Sequence, residues 1–315
     1  MTAHAHDHRH VAADADRGKL VMALVLLLAF VAVEVVAGIL AHSLALLSDA
    51  GHMLTDAGAI ALAIVALGLA SRPARGAMTF GLKRAEILSA QVNGATLLVL
   101  AVLITIEAVD RLSSPPDTAG GAVLGVAIAG VVVNLAATRI LSSANRRSLN
   151  VEGAFQHVLT DLFAFIATAI AGGVILATGF READGIAALV VAGLMLRSAA
   201  VLLRDSGRVL LEAAPKGIDP SEVHRALASH RHVVNVHDLH VWELTSGFPS
   251  LSAHVLVRAG CDCHEHRREL QQMLRERFGI EHSTLQVDHE ADPGGLVTLE
   301  DGLERRDGLR QRSRG

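Results

Sequence analysis

Two apolar stretches of this chain carry the same pair, a histidine followed four residues later by an aspartate. His52 and Asp56 lie in SLALLSDAGHMLTDAGAIALAIVALGLA, and His157 and Asp161 in EGAFQHVLTDLFAFIATAIAGGVILATG. A four-residue step places each His above its Asp on one face of a helix. Ionisable groups at membrane depth are costly and mark ion pathways or proton relays. Two imidazoles and two carboxylates converging from two helices supply four N/O ligands, the set that satisfies a tetrahedral Zn2+. The two carboxylates also bring an occupied site close to neutral, which a low-dielectric setting tolerates. Only the deprotonated forms of these groups bind metal, so loading expels protons and protons expel metal. That competition is the chemistry of metal/proton antiport. The plainer use of such groups is as polar glue between helices, and two matching pairs in separate spans weigh against it.

Other polar residues in the apolar stretches carry less. Asp49 lies three residues before His52 on nearly the same face. It reads either as a proton-carrying group beside the site or as a helix-end acid at the far interface. Glu34 and Glu107 are lone acids suited to packing or interface roles. Asn134 is expected to hydrogen-bond a neighbouring helix.

The elements that must position these residues follow from the hydropathy pattern. Apolar runs near 20–41, 44–70, 86–110, 120–141, 154–178 and 184–203 have the roughly 20 residues a bilayer crossing needs. The breaks between them are AHS, SRPARGAMTFGLKR, RLSSPPDT, SSANRRSLN and GFREAD. Charged residues make up only 19% of the 315 residues, against about a quarter in soluble domains, and mean hydropathy is +0.42. Lys and Arg concentrate before the first span, between the second and third, between the fourth and fifth, and after the sixth. The opposite side has only Arg111 and Arg181. The distribution of positive charge therefore predicts both termini in the cytoplasm of a multi-pass protein of the plasma (cytoplasmic, or inner) membrane. The net charge of −4 argues against a nucleic-acid partner. The amino-terminal stretch MTAHAHDHRHVAADADRGK is too acidic and His-rich for a signal peptide.

After Pro215 the pattern becomes that of a soluble α+β module. DPSEVHRALASH opens on a capping Asp and reads as a helix. VVNVHDLHVWEL and LSAHVLVRA alternate like strands joined by the turn-rich TSGFPS. CHEHRRELQQMLRERFG is an amphipathic helix ending at glycine, and STLQVDHE a last strand. The fold expected is thus an α-helical membrane protein of six transmembrane helices followed by an αββαβ domain. Its segments are a His-rich tail (1–18, with His4, His6, His8 and His10), the spans (19–208), the α+β domain (209–291) and a polar, Arg-rich disordered tail (292–315).

Two cysteines, Cys261 and Cys263, stand one residue apart, a spacing poorly suited to a disulfide, so a reduced setting is expected. The run Cys261-Asp262-Cys263-His264-Glu265-His266 is dense in zinc-type ligands. It reads either as an auxiliary metal site or as a helix start capped by Asp262 or Cys263.

At SLALLSDAGHMLTD, FGLKRAE, NVEGAFQHVLTD, HDLHVWELTSG and HSTLQVD the chain resembles the cation diffusion facilitators, in their zinc/cadmium/cobalt branch, over roughly residues 17–290. The resemblance implies a homodimer of six-span subunits that exports Zn2+, with Cd2+ and Co2+ as further substrates, against protons by alternating access. It assigns the transport site to His52, Asp56, His157 and Asp161, with His52 in the zinc-selective pattern. It also implies a ferredoxin-like, metallochaperone-like cytoplasmic domain that dimerises and binds regulatory zinc. There His240, His254 and Asp288 resemble ligand positions, with His282 and His289 as neighbours. Strand alternation adds that His240 and His254, in consecutive strands, could face each other. Surface histidines on a solvated sheet are the alternative.

Rival functions fit less well. A membrane zinc enzyme needs an open coordination position and a general base, whereas four protein ligands close the shell and no HExxH motif occurs. A membrane zinc sensor leaves the buried His/Asp pairs unexplained. A passive channel conflicts with a tight four-ligand site.

Overall fold

The computed structural model describes residues 5–40, 44–113, 120–146 and 148–290; within these, side chains are not described for 5–16, 37, 38, 44–49, 52, 55, 120–123 and 184. The chain divides into two compact units, Met1–Gly207 and Arg208–Gly315.

The first unit holds α1 (Ala5–Leu40), α2 (Leu44–Ala70), α3 (Ala85–Ser113), α4 (Gly120–Ser142), α5 (Leu149–Thr178) and α6 (Ala183–Leu210). Among the described residues, five stretches are long and apolar enough to cross a membrane: Arg17–Val36, Ala85–Ser113, Leu124–Ser142, Leu149–Thr178 and Gly185–Leu210. In α2 the corresponding stretch is the shorter Asp56–Ala70. Large apolar side chains such as Val33, Val65, Ile106, Val132 and Ile170 stand exposed along these helices. An apolar exterior on that scale is stable in lipid and a liability in water. The α1 helix runs back to Ala5, taking in the backbone of His6, His8 and His10. His4 and the 292–315 tail lie outside the described residues.

Packing centres on α5. One core cluster joins Leu20, Leu27 and Phe30 of α1, Met53 and Ile60 of α2, Leu141 of α4, and Val151, Phe155 and Phe165 of α5. A second joins Leu97 and Ala101 of α3 to Val191, Met195 and Ala199 of α6, with Ala164 and Ala167 of α5 against it. Close approach of α4 and α5 depends on Gly130, where a Cβ would lie 2.3 Å from the Phe165 ring. Polar ties fix the helix pairs in a setting without a hydrophobic drive between them. Asn150 Nδ2 donates to Ala63 O at 2.8 Å, binding α5 to α2. Ser206 donates to Gln91, binding α6 to α3. The α5 amino terminus is capped by Ser148, whose hydroxyl accepts from Val151 N and donates to Glu86 of α3. Buried Asn134 corrects one expectation: its Nδ2 donates to Gly130 O of its own helix at 3.1 Å.

The second unit has the expected order: α7 (Pro220–Ala228), β1 (Val233–Glu243), β2 (Pro249–Val257), α8 (Cys263–Phe278) and β3 (His282–His289). Asp219 caps α7, accepting from Ser221 N, and Gly279 ends α8 in the left-handed conformation. The sheet order is β1-β2-β3, with β1–β2 antiparallel and β2–β3 parallel. Leu251, Ala253, Val255 and Val257 of β2 pack with Val223 and Leu227 of α7 and Leu270 and Leu274 of α8. Both helices therefore cover one face of the sheet, and Ser252, His254 and Leu256 point to the other.

Candidate metal centre

Asp56 sits in α2, and His157 and Asp161 sit one turn apart in α5. All three are buried, exposed by 0%, 1% and 5% respectively. His157 Nε2 lies 2.6 Å from Asp56 Oδ1. One ligand atom from each of the three falls within 4.8 Å of the others. An imidazole and two carboxylates thus meet between two apolar helices, with the Asn150–Ala63 bond holding the same helix pair about two turns away. His52 stands one helical turn before Asp56 on the α2 backbone; its side chain, like that of Asp49, lies outside the described residues. Glu34 is buried in α1, whereas Glu107 pairs with Arg111 at 2.5 Å near the end of α3, an interface arrangement.

The sheet residues are disposed differently from the sequence expectation. His254 pairs across the strands with His237, ring centroids 5.3 Å apart, while His240 stands opposite Ser252. An irregularity between His237 and His240, with Asp238 at φ 52°, shifts the register there. His240 Nε2 instead lies 3.1 Å from Asp238 Oδ1. Asp288 of β3 pairs with Leu256 and accepts from Gln286 Nε2 at 2.8 Å. His240, His254 and Asp288 share the open face of the sheet, but among the described residues their ligand atoms do not gather as those of the α2–α5 group do. His282 stacks near Phe248 at 6.0 Å.

The cysteines are free thiols facing different neighbours. Cys263 Sγ lies 3.4 Å from His289 Nε2, and burial pushes its thiol above the ordinary range. Cys261 groups with His232 and His266, two histidines of which sequence reasoning had noted only His266. Asp262 is the residue that caps α8, accepting from the backbone N–H groups of His264 and Glu265. Those bonds, that from Glu265 foremost, hold its carboxyl below the usual carboxylate range.

Comparison with known proteins agrees with this architecture. Residues 20–211 match the cation efflux transmembrane domain, and residues 215–290 match the cytoplasmic domain of cation efflux proteins. The cadmium, cobalt and zinc/H(+)-K(+) antiporter of Bacillus subtilis (strain 168) is 37% identical over 88% of this chain and 90% of its own length. The metal cation efflux system protein CzcD of Cupriavidus metallidurans is 40% identical over 90% of this chain and 89% of its own. The zinc transporter ZitB of Escherichia coli (strain K12) is 37% identical over 95% and 96%. The solved metal-bound C-terminal domain of the CzcD transporter from Cupriavidus metallidurans is 38% identical, covering 22% of this chain and 97% of its own, with a TM-score of 0.22. With both of its parts matched in order and relatives aligned nearly end to end, the chain belongs to the cation efflux, or cation diffusion facilitator, family of multi-pass membrane metal-cation transporters, which are not enzymes.

Proposed function

We propose that the chain exports Zn2+, and with it Cd2+ and Co2+, from the cytoplasm in exchange for protons. The observation that carries this reading is the convergence of Asp56, His157 and Asp161, all buried, on facing helices α2 and α5. His52, one turn from Asp56, completes a 2His-2Asp tetrahedral set. With the site open inward, deprotonated ligands bind the ion. Rocking of the helices opens the site outward, protons compete the ion off, and the protonated site returns. Asp49 lies two turns before Asp56 on α2 and serves as a proton-carrying group on the exit side. The names of the relatives, which include a zinc transporter and a cadmium, cobalt and zinc/H(+)-K(+) antiporter, support the substrate class and include the proton among the exchanged ions.

The chain works as a homodimer in the plasma membrane, both termini cytoplasmic, an orientation supported by the Lys/Arg bias of its connections. Its segments are the 1–18 tail, the 19–208 transmembrane domain, the 209–291 metallochaperone-like domain and the 292–315 tail. His240, His254 and Asp288 on the open sheet face form a regulatory zinc site of that domain, the bound ion drawing together side chains that already share one face.

The test is zinc flux in proteoliposomes under an imposed pH gradient, comparing the wild type with Asp56→Ala. Gradient-driven flux in the wild type and none in the variant is the expected result. Flux indifferent to the gradient refutes antiport, and no flux in either protein favours a membrane zinc sensor.

A further inference from the structure

Two segments of the second unit that are distant in sequence meet at one end of the sheet. The turn between α7 and β1 carries His232, the turn between β2 and α8 carries Cys261, and the first turn of α8 carries His266. Backbone bonds hold them together: Arg258 N donates to His232 O at 3.0 Å, and His266 N to Asp262 O at 3.1 Å. One ligand atom from each of His232, Cys261 and His266 lies within 4.8 Å of the other two. The His232 and His266 rings are 5.3 Å apart between centroids.

Two features mark this group as more than a stack of surface histidines. His232 sits at φ 65°, a left-handed conformation uncommon for a side-chain-bearing residue. Such strain persists where the surroundings fix it, and it clusters at ligand-holding positions. His266, only 4% exposed, has its Nδ1 3.2 Å from Glu269 Oε2, and Arg231 donates to the same carboxylate. A histidine that ligates metal through one ring nitrogen commonly gives the other to a carboxylate, which fixes its tautomer and direction. With Nδ1 engaged by Glu269, Nε2 of His266 is the nitrogen left to bind.

We propose that His232, Cys261 and His266 form a second metal site of the cytoplasmic domain, with a thiolate and two imidazoles as ligands and Glu269 orienting His266. This donor set takes a borderline-soft divalent ion, Zn2+ or its tetrahedral analogues Co2+ and Cd2+, and disfavours Mg2+, Ca2+ and Mn2+. Zinc–ligand bonds of about 2.0–2.3 Å require the donors to close in by roughly 1 Å, within reach of side-chain rotation at exposed His232. Three protein ligands leave the fourth position to water, so the ion exchanges with the medium. It also clips the turn before β1 to the turn after β2. Cys263 is not part of the site, since its sulfur faces His289.

The intramembrane ligands contain no sulfur, so a sulfur-specific signal reports on this site independently of the transport reading. The experiment titrates Co2+ into the metal-free full-length chain in detergent, carrying Asp161→Ala, and follows the thiolate-to-cobalt charge-transfer band. We expect the band in that protein and with Cys263→Ser added, and its loss with Cys261→Ser or His232→Ala added. No band in the parent, survival of the band in either of the last two, or its loss in Cys263→Ser overturns the proposal. The exposed His232→Ala change guards against a variant that merely fails to fold, checked by an unaltered thermal transition of Trp242 fluorescence in the absence of metal.

Discussion

The membrane unit and the cytoplasmic unit both gather histidines with acidic or sulfur side chains, but they do so by opposite means. In the membrane unit the grouped side chains come from regular helices, so their grouping follows from a fixed four-residue step and from which helices touch. Buried Asp56, His157 and Asp161 meet because α2 packs on α5. In the cytoplasmic unit the corresponding side chains come from a sheet face and from turns. There an irregularity in β1 between His237 and His240 sets His254 opposite His237, while His240 stands opposite Ser252. The cluster of His232, Cys261 and His266 exists only because two turns are tied together by backbone bonds. A one-residue slip in register moves every side chain of a strand to the other face, so a site on a sheet depends on its register.

The strongest way to break this contrast is Asp161→Ala. It is expected to abolish metal transport in proteoliposomes while leaving the cytoplasmic unit folded. Trp242, in β1, is the single tryptophan of the chain, so its emission reports the unfolding of that unit alone. Sustained transport by the variant would detach function from the helical site. The reciprocal change is Leu270→Ala in α8, a fully buried residue of the cytoplasmic core. It should destabilise that unit by about 2–5 kcal/mol, read as a lowered Trp242 transition. An unchanged transition would mean that Leu270 does not contribute to the core that Trp242 reports.

A smaller effect is expected from His52→Asp, which exchanges an imidazole nitrogen for a carboxylate oxygen and broadens selectivity toward Mn2+. Parallel flux assays of each ion check it, and an unaltered ion preference would remove His52 from the ligand set. Smallest is Asp219→Ala, which removes the α7 cap bond to Ser221 N. It should cost about 1 kcal/mol in the Trp242 transition and leave zinc flux unchanged.

The boundaries of the two structures were read from the sequence with unequal success for the same reason that their sites differ. The apolar runs near 44–70 and 86–110 reappear as α2 and α3 within a few residues, because a bilayer demands about 20 apolar residues with satisfied backbones. Asp219 and Gly279 marked helix ends that the fold uses. Asn134, expected to reach across to a neighbour, turned to Gly130 of its own helix, since packing decides which acceptor is within reach. The partnership of Asp262 with the α8 amino terminus was visible as a cap, while the separation of Cys261 from Cys263 was not. Adjacent sequence positions entering a helix point in different directions, and their neighbours come from strands and turns tens of residues away.

By itself the sequence determined the two-part architecture, the helical order and strand order, and the pairing of His with Asp on each of two spans. All of these rest on periodicity and composition, which are local. Only the tertiary structure decided that α2 and α5 face each other, that His240 stands opposite Ser252, and that His232 joins Cys261 and His266. Those depend on packing, register and turn geometry, which are set by contacts between residues far apart in the chain.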